Sequence, residues 1–292
     1  MKECIQGLWI GKSLSLMEQL SIKSFLANGH EYHLYTYGKV KNIPEGTIVK
    51  DGNEILPKQK IFKHNIGQEK GSYAGFSELF RWKLLLDKGG IWSDLDVVCL
   101  KPFDFNKKYV FSSEKSPSGK TKITTCIIKV PIKNQLIKSC YEFAKKRDPQ
   151  TVRFAEMGPK LIDSQVREFK LNSFVLPPNA FCPINYWDFD KFIDPNFKFK
   201  IPKETYAIHL WNEKWRRGDK TEGEILKAIY RTSAKLKKYS LFYSRFIDFI
   251  KDFNSSFLEL FIENKSLVRP KYDKNRVYGP ETLYGQLQRR YL

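Results

Sequence analysis

The hydrophobic pattern of the chain switches period several times, and each switch marks an element. Residues 5–10, Ile-Gln-Gly-Leu-Trp-Ile, read as a short buried strand. Ser15-x-x-Glu18 then has the form of a capping box, in which a hydroxyl and a carboxylate satisfy the free amides of a helix start. The helix it opens runs to Asn28-Gly29, a stop signal. Glu31 to Tyr37 alternates polar and apolar side chains as a strand does. Strand, helix, strand is the unit of a parallel α/β sheet with a right-handed crossover.

Residues 72–88 carry the clearest helical stripe, with Tyr73, Phe76, Phe80 and Leu84 spaced three or four apart. The stripe ends at Lys88-Gly89-Gly90. Ile91 to Leu100 reads as a strand interrupted by Ser93-Asp94-Leu95-Asp96 and closed by Pro102. Further strands are expected at 109–113 and 123–129, with a helix over 133–147. Thr221-x-x-Glu224 opens a second capping-box helix reaching about residue 265. Its stripe of Phe242, Phe246, Phe249, Phe253 and Phe257 either packs on the core or lies along a membrane surface. The chain therefore divides into an α/β domain, residues 1–220, and a helical C-terminal extension, residues 221–292.

Composition narrows the class. With 292 residues, 41% apolar and 28% charged, the chain can bury a full core and is not a disordered sequence. The net charge of +19 is spread along the chain, since residues 221–292 hold only +6 of it. A generally basic surface attracts anionic membrane, nucleic acid or acidic polymer, each weakened by salt; a solvated lysine-rich surface accounts for it equally. The five cysteines, Cys4, Cys99, Cys126, Cys140 and Cys182, are scattered and form no C-x-x-C, so neither a disulfide framework nor a zinc site is expected. Reduced thiols point to the cytoplasm. Residues 1–7 lack a secretory apolar stretch, and no run approaches the about 18 apolar residues of a membrane span, so no bilayer crossing is expected.

The chemistry centres on Asp94-Leu95-Asp96. Two carboxylates at i and i+2, where a strand becomes a loop, can share one hard divalent cation that also takes phosphate oxygens. Alone, the pair reads sooner as a solvated turn. Its context adds Glu78 and Arg81, an acid and a base three apart on one helix face, and the glycine pair between them and the aspartates.

The run Ser77-Glu78-Leu79-Phe80-Arg81, then Gly89-Gly90-Ile91-Trp92-Ser93-Asp94-Leu95-Asp96, resembles the DXD-containing sugar-binding region of bacterial and fungal glycosyltransferases. That family includes yeast-type mannosyltransferases and capsule and lipopolysaccharide enzymes, and the segment is also similar to the catalytic domain of clostridial glucosylating toxins. The usual form is S-D-x-x-R followed by G-G-x-Y-x-D-x-D; here Glu78 stands for the first Asp and Trp92 for the Tyr. Leu8-Trp9-Ile10-Gly11 is similar to the family's first-strand motif, and His209-Leu210-Trp211-Asn212-Glu213-Lys214-Trp215 to its late H-x-W…W segment. Glu156-Met157-Gly158-Pro159 resembles a Gly-Pro element that faces the acceptor.

The resemblance implies a GT-A-like nucleotide-binding fold with a mainly parallel sheet, and a retaining, metal-dependent hexosyltransferase. It implies Mn2+ or Mg2+ held by Asp94, Asp96 and His209, with Asp94 touching the ribose or the ion through water. It places Ser77, Glu78 and Arg81 at the donor sugar, Trp9 and Gly11 at the base, and the Trp215 indole N–H at a phosphate. Asp94, Asp96 and Arg81 are then the catalytic set. The expected partners are a nucleotide-sugar, UDP-sugar above others, and a glycan or lipid-linked glycan acceptor, with capsule or lipopolysaccharide synthesis at the inner membrane face and no specific nucleic acid.

Two rivals remain at this level. Asp94-Leu95-Asp96-Val97-Val98 satisfies the D-x-D-x-[TV] of haloacid-dehalogenase-type phosphotransferases, although Gly90-Ile91-Trp92-Ser93 is a poor strand lead and no later metal element follows. A non-catalytic basic nucleic-acid or membrane binder would explain the charge but not the clustered carboxylates, and no nucleic-acid-binding signature supports it.

Overall fold

The computed structural model describes residues 4–66, 70–153, 155–217 and 272–292. Strand β1 (Ile5–Trp9) leads through helix α1 (Leu16–Ala27) to β2 (Tyr32–Thr36) and on to β3 (Ile48–Asp51). Helix α2 (Ala74–Lys88) delivers the chain to β4 (Gly90–Ser93), and after a turn comes β5 (Val97–Cys99). Then follow β6 (Val110–Lys115), β7 (Thr121–Val130), α3 (Gln135–Ala144), α4 (Pro159–Glu168), β8 (Ala207–His209), α5 (Asn212–Arg217) and α6 (Leu283–Tyr291).

A six-stranded sheet runs β3-β2-β1-β4-β7-β6, and β5 pairs separately with β8. The first four strands are parallel, while β7 runs antiparallel between β4 and β6. This is an α/β arrangement with a mainly parallel sheet, as expected. The Ser15 capping box forms in full, with the Glu18 carboxylate accepting from the Ser15 N–H at 2.7 Å. On α2, Phe76, Phe80 and Leu84 of the anticipated stripe are fully buried.

Some boundaries differ from the hydrophobic pattern. The stretch 91–100 is not one interrupted strand: its halves, β4 and β5, join different sheets, so Asp94–Asp96 lies where the chain leaves one sheet for the other. Gly90-Ile91-Trp92-Ser93, a poor strand lead on paper, forms the buried central strand β4 because β1 and β7 flank it. The glycine pair before it is conformationally required. Gly89 and Gly90 have φ of 64° and 84°, and a Cβ at Gly89 would meet the Ile132 backbone nitrogen at 2.5 Å. Two hydrophobic clusters cover the two faces of the sheet, one around α1, β5 and β8 and the other around α2, α3 and α4.

The Thr221 capping box and the phenylalanine stripe that follows fall outside the described residues. The end of the chain is described: Tyr278, Leu283, Tyr284 and Leu287 join Trp215 in the first cluster. Residues 272–292 are thus part of the same core as the α/β body. Among the described residues, no helix is long and apolar enough to cross a membrane.

Candidate active site

Asp94 and Asp96 emerge at the carboxyl end of β4, where open α/β sheets hold ligands. In the turn that follows, Leu95 packs into the first hydrophobic cluster at 8% exposure. The loop is pinned from both flanks: the Asp94 N–H donates to Cys126 O at 2.9 Å, and the Leu210 N–H to Asp96 O at 2.8 Å.

The two side chains have different partners. Asp94 Oδ1 accepts from Arg81 Nη2 at 2.7 Å and from Trp92 Nε1 at 2.8 Å. Arg81 is buried, and its guanidinium lies 4.7 Å from the centre of the Trp92 ring. Its Nε and Nη1 are buried with no hydrogen-bond partner among the described residues. Such orphaned cationic donors are costly unless a ligand takes them. Asp96 Oδ2 accepts from the Asn212 N–H at 2.7 Å and lies 3.2 Å from His209 Nε2. Trp211, with φ of 62°, packs its ring 4.0 Å from that imidazole and donates its indole N–H to Ile184 O at 2.8 Å.

Burial opposes charge on both Asp96 and His209, but their attraction outweighs it. The Asp96 carboxyl is held below its ordinary value, helped by the Asn212 amide, and the His209 imidazole well above its own. One ligand atom from each of Asp94, Asp96 and His209 lies within 4.8 Å of the others. This carboxylate–imidazole set suits Mn2+ or Mg2+ completed by phosphate oxygens or water.

The remaining expected residues distribute around this centre. Glu78 is buried on the same helix as Arg81, yet it points elsewhere: Gly158 lies against it so closely that any Cβ there would collide with the carboxylate. The Gly-Pro element is therefore adjacent to Glu78, and Arg81 pairs with Asp94. Ser77 is half-buried on α2. Trp9 and Gly11 stand at the end of β1. Trp9 is half-buried, with Nε1 unpartnered among the described residues and Lys274 Nζ 5.5 Å from its ring centre. Beside them a cavity of about 420 Å³ is lined by Gly11, Lys12, Tyr37, Lys39 and Tyr73 among others.

Trp215 departs from expectation. Its indole N–H donates to Leu210 O at 2.7 Å, and its ring is buried among Tyr272, Tyr278 and Tyr284. That bond leaves no free N–H for a phosphate, so Trp215 supports the loop from the core.

Several neighbours carried no signal in the sequence. The fully buried Tyr32 hydroxyl has no partner among the described residues; burial and the nearby Asp94 and Asp96 hold its proton on. Burial pushes the Glu114 carboxyl up to about 7. Behind His209, Cys126 and Cys182 bring their sulfurs to 3.8 Å from one another. None of these lies near Asp94 in sequence, and no local spacing could have found them.

Residues 17–114 match the family model of the glycosyltransferase sugar-binding region containing the DXD motif, and residues 133–234 match the alpha 1,4-glycosyltransferase conserved region. The first holds Arg81, Asp94 and Asp96; the second holds Gly158, His209 and Trp215. The chain is also 36% identical over 59 residues to "Subversion of eukaryotic traffic protein A" of Legionella pneumophila. That match covers 20% of this chain and only 9% of the relative. Among solved structures, the PaToxG glycosyltransferase aligns with 59% of this chain and 72% of its own at 16% identity and a TM-score of 0.42. A transferase solved as a double cysteine-to-serine variant aligns with 68% of this chain and 93% of its own at 13% identity and a TM-score of 0.37.

Proposed function

We propose that this chain is a DXD-motif glycosyltransferase and that it moves a hexose from a UDP-sugar to a glycan hydroxyl with retention of configuration. The carrying observation is the convergence of Asp94, Asp96 and His209 at the carboxyl end of β4, beside a buried arginine with unused donors. When bound there, Mn2+ or Mg2+ would neutralise the charge of the departing diphosphate.

The side chains divide the work around that point. Asp96 is aimed by the Asn212 amide and His209, and Asp94 by Arg81 and Trp92, so neither carboxylate must reorganise to meet a cation. Both bonds to Asp94 fall on Oδ1, which leaves the other oxygen for the ion or a ribose hydroxyl. Arg81 Nε and Nη1 donate to the donor sugar or the diphosphate. Glu78, with one methylene more than the usual Asp, accepts from sugar hydroxyls near Gly158, and Ser77 lies one turn before Arg81. Trp9 and the cavity beside Gly11 receive the base and ribose. Trp215 has no donor contact in this reading.

The alpha 1,4 description of the second matched region supports retention, since an α-linkage made from an α-linked UDP-hexose would keep its configuration. The +19 charge suits an acidic or lipid-linked glycan acceptor at the cytoplasmic face of a membrane, as in capsule or lipopolysaccharide assembly. To test the activity, a panel of UDP- and GDP-hexoses is incubated with the protein, an acceptor extract and Mn2+, and the released nucleoside diphosphate is counted. NMR of the product then reads its anomeric configuration. Release from a UDP-hexose that stops with chelator and in Asp96→Ala supports the reading; no release from any donor overturns it.

A further inference from the structure

His209 has two ring nitrogens, and only Nε2 faces the aspartates. Nδ1 faces the other way, 3.9 Å from Cys182 Sγ, and Cys182 Sγ is 3.8 Å from Cys126 Sγ. The three donor atoms all lie within 4.8 Å of one another, on buried residues. They come from three segments: Cys126 from β7, Cys182 from the turn after residues 178–180, and His209 from β8. Backbone bonds hold the segments in place: the Asp94 N–H donates to Cys126 O, and the His209 N–H to Phe181 O, which ties the His209 strand to the Cys182 turn, each at 2.9 Å.

We propose that Cys126, Cys182 and His209 Nδ1 form a binding site for a soft divalent cation of the Zn2+ class, separate from the hard-cation site of the two aspartates. The spacing supports it. Around a tetrahedral Zn2+, two thiolates stand about 3.8 Å apart and a thiolate and an imidazole nitrogen about 3.6 Å. The structure has 3.8 Å and 3.9 Å. Two thiols in simple contact would account for the sulfur spacing alone. They would not account for an imidazole edge from a third segment converging on the same point.

The far side of the ring fits as well. A metal-bound imidazole characteristically hands its second N–H to a carboxylate, which fixes the tautomer. Here Nε2 lies 3.2 Å from Asp96 Oδ2. A soft cation on Nδ1 would keep that proton on Nε2, so His209 would hold Asp96 in place by a hydrogen bond. His209 would then leave the ligand set of the hard cation, which would rest on the two carboxylates and the diphosphate. Three protein donors leave a fourth coordination position for a water or another small ligand. Thiolates and imidazole select a soft cation over Mn2+ or Mg2+ by their chemistry.

The soft site does not depend on the transferase reading, and its test needs no sugar donor. Reduced protein stripped of metal with a chelator is titrated with Co2+ while its absorption is recorded. The expected result is one equivalent bound, with a thiolate-to-cobalt charge-transfer band and the visible bands of tetrahedral cobalt, both removed by Zn2+. Cys126→Ser and Cys182→Ser should each lose the charge-transfer band. Asp94→Ala should keep it while losing Mn2+-dependent nucleotide binding. Absence of the band in the wild-type protein overturns the proposal even if the variants fail to fold. Persistence of the band in both serine variants, or a Cys126–Cys182 disulfide in protein isolated under reducing conditions, overturns it too.

Discussion

Asp94 and Asp96 lie two residues apart after the same strand, but they are held by different parts of the chain. Asp94 is bound by Arg81 and Trp92, 13 and 2 residues away. Asp96 is bound by Asn212, 116 residues away, and by His209. The first arrangement is local: a helix, two glycines and a strand carry an arginine to the motif. The second exists only because β8 pairs with β5 and brings the 207–212 segment against the loop. Half of the site is thus assembled by neighbouring residues and half by the tertiary fold, and the two halves should fail differently when cut.

The largest effect is expected on the distant side. Asp96→Ala removes a carboxylate from the cation and should lower kcat/KM by about 10³-fold or more. It also leaves the His209 imidazole buried without its partner, at a cost of about 2 kcal/mol in stability, since the ring can shed its proton. A wild-type melting midpoint in Asp96→Ala would show that the Asp96–His209 contact is incidental.

The local side should yield a smaller loss with little change in the fold of the distant half. Arg81→Ala takes away one of two bonds that orient Asp94 and should lower activity by about 10–100-fold, the range for groups that orient a ligand. Arg81→Lys should not restore it, because the guanidinium both bridges to Asp94 and lies over Trp92. Steady-state kinetics with manganese varied would separate the two sides. Asp96→Ala should abolish manganese saturation, and Arg81→Ala should only shift it.

A third intervention probes the edge of the local side. A methyl at Gly158 collides with the Glu78 carboxylate, so Gly158→Ala should destabilise by about 1–3 kcal/mol and weaken donor use. Glu78→Asp in the same chain should recover part of both. Independent, additive effects of the two substitutions in a double-mutant cycle would mean that the contact is not what limits the donor site.

The smallest effect is a pH dependence confined to the distant side. Asp96 has a depressed folded value, so its share of stability is complete above the ordinary carboxylate range and is lost as pH falls through that folded value. His209 has a raised one, so its share is complete below about pH 6.5 and is lost as pH rises through its folded value. In chelator, the wild-type melting midpoint should therefore be highest between those limits, and Asp96→Asn should flatten the profile. An unchanged profile would place the pH dependence elsewhere.

The same division explains what could be read in advance. The capping box at Ser15, the β1–α1–β2 unit and the stripe of α2 are encoded within a few residues, and all are present as expected. The motif's strand was harder. Residues 91–100 look like one broken run, because nothing in their composition says that β5 will leave β4 for a different sheet. β3 could not be read at all: its four residues are mostly exposed and show no alternation. The late motif places the Trp215 N–H at a phosphate, but only the fold shows it committed to Leu210 O. Cys126 and Cys182 stand 56 residues apart, outside any metal-ligand spacing, and only β7 and the 178–182 turn bring them together.

The central claim is that the Asp94–Asp96 loop becomes hospitable to a nucleoside diphosphate through a divalent cation. Calorimetric titration of UDP into the protein, with manganese and then with chelator, tests it directly. Binding should require manganese in the wild-type protein and be lost in Asp96→Ala. UDP binding of equal strength in chelator, or manganese-dependent binding undiminished in Asp96→Ala, would contradict it.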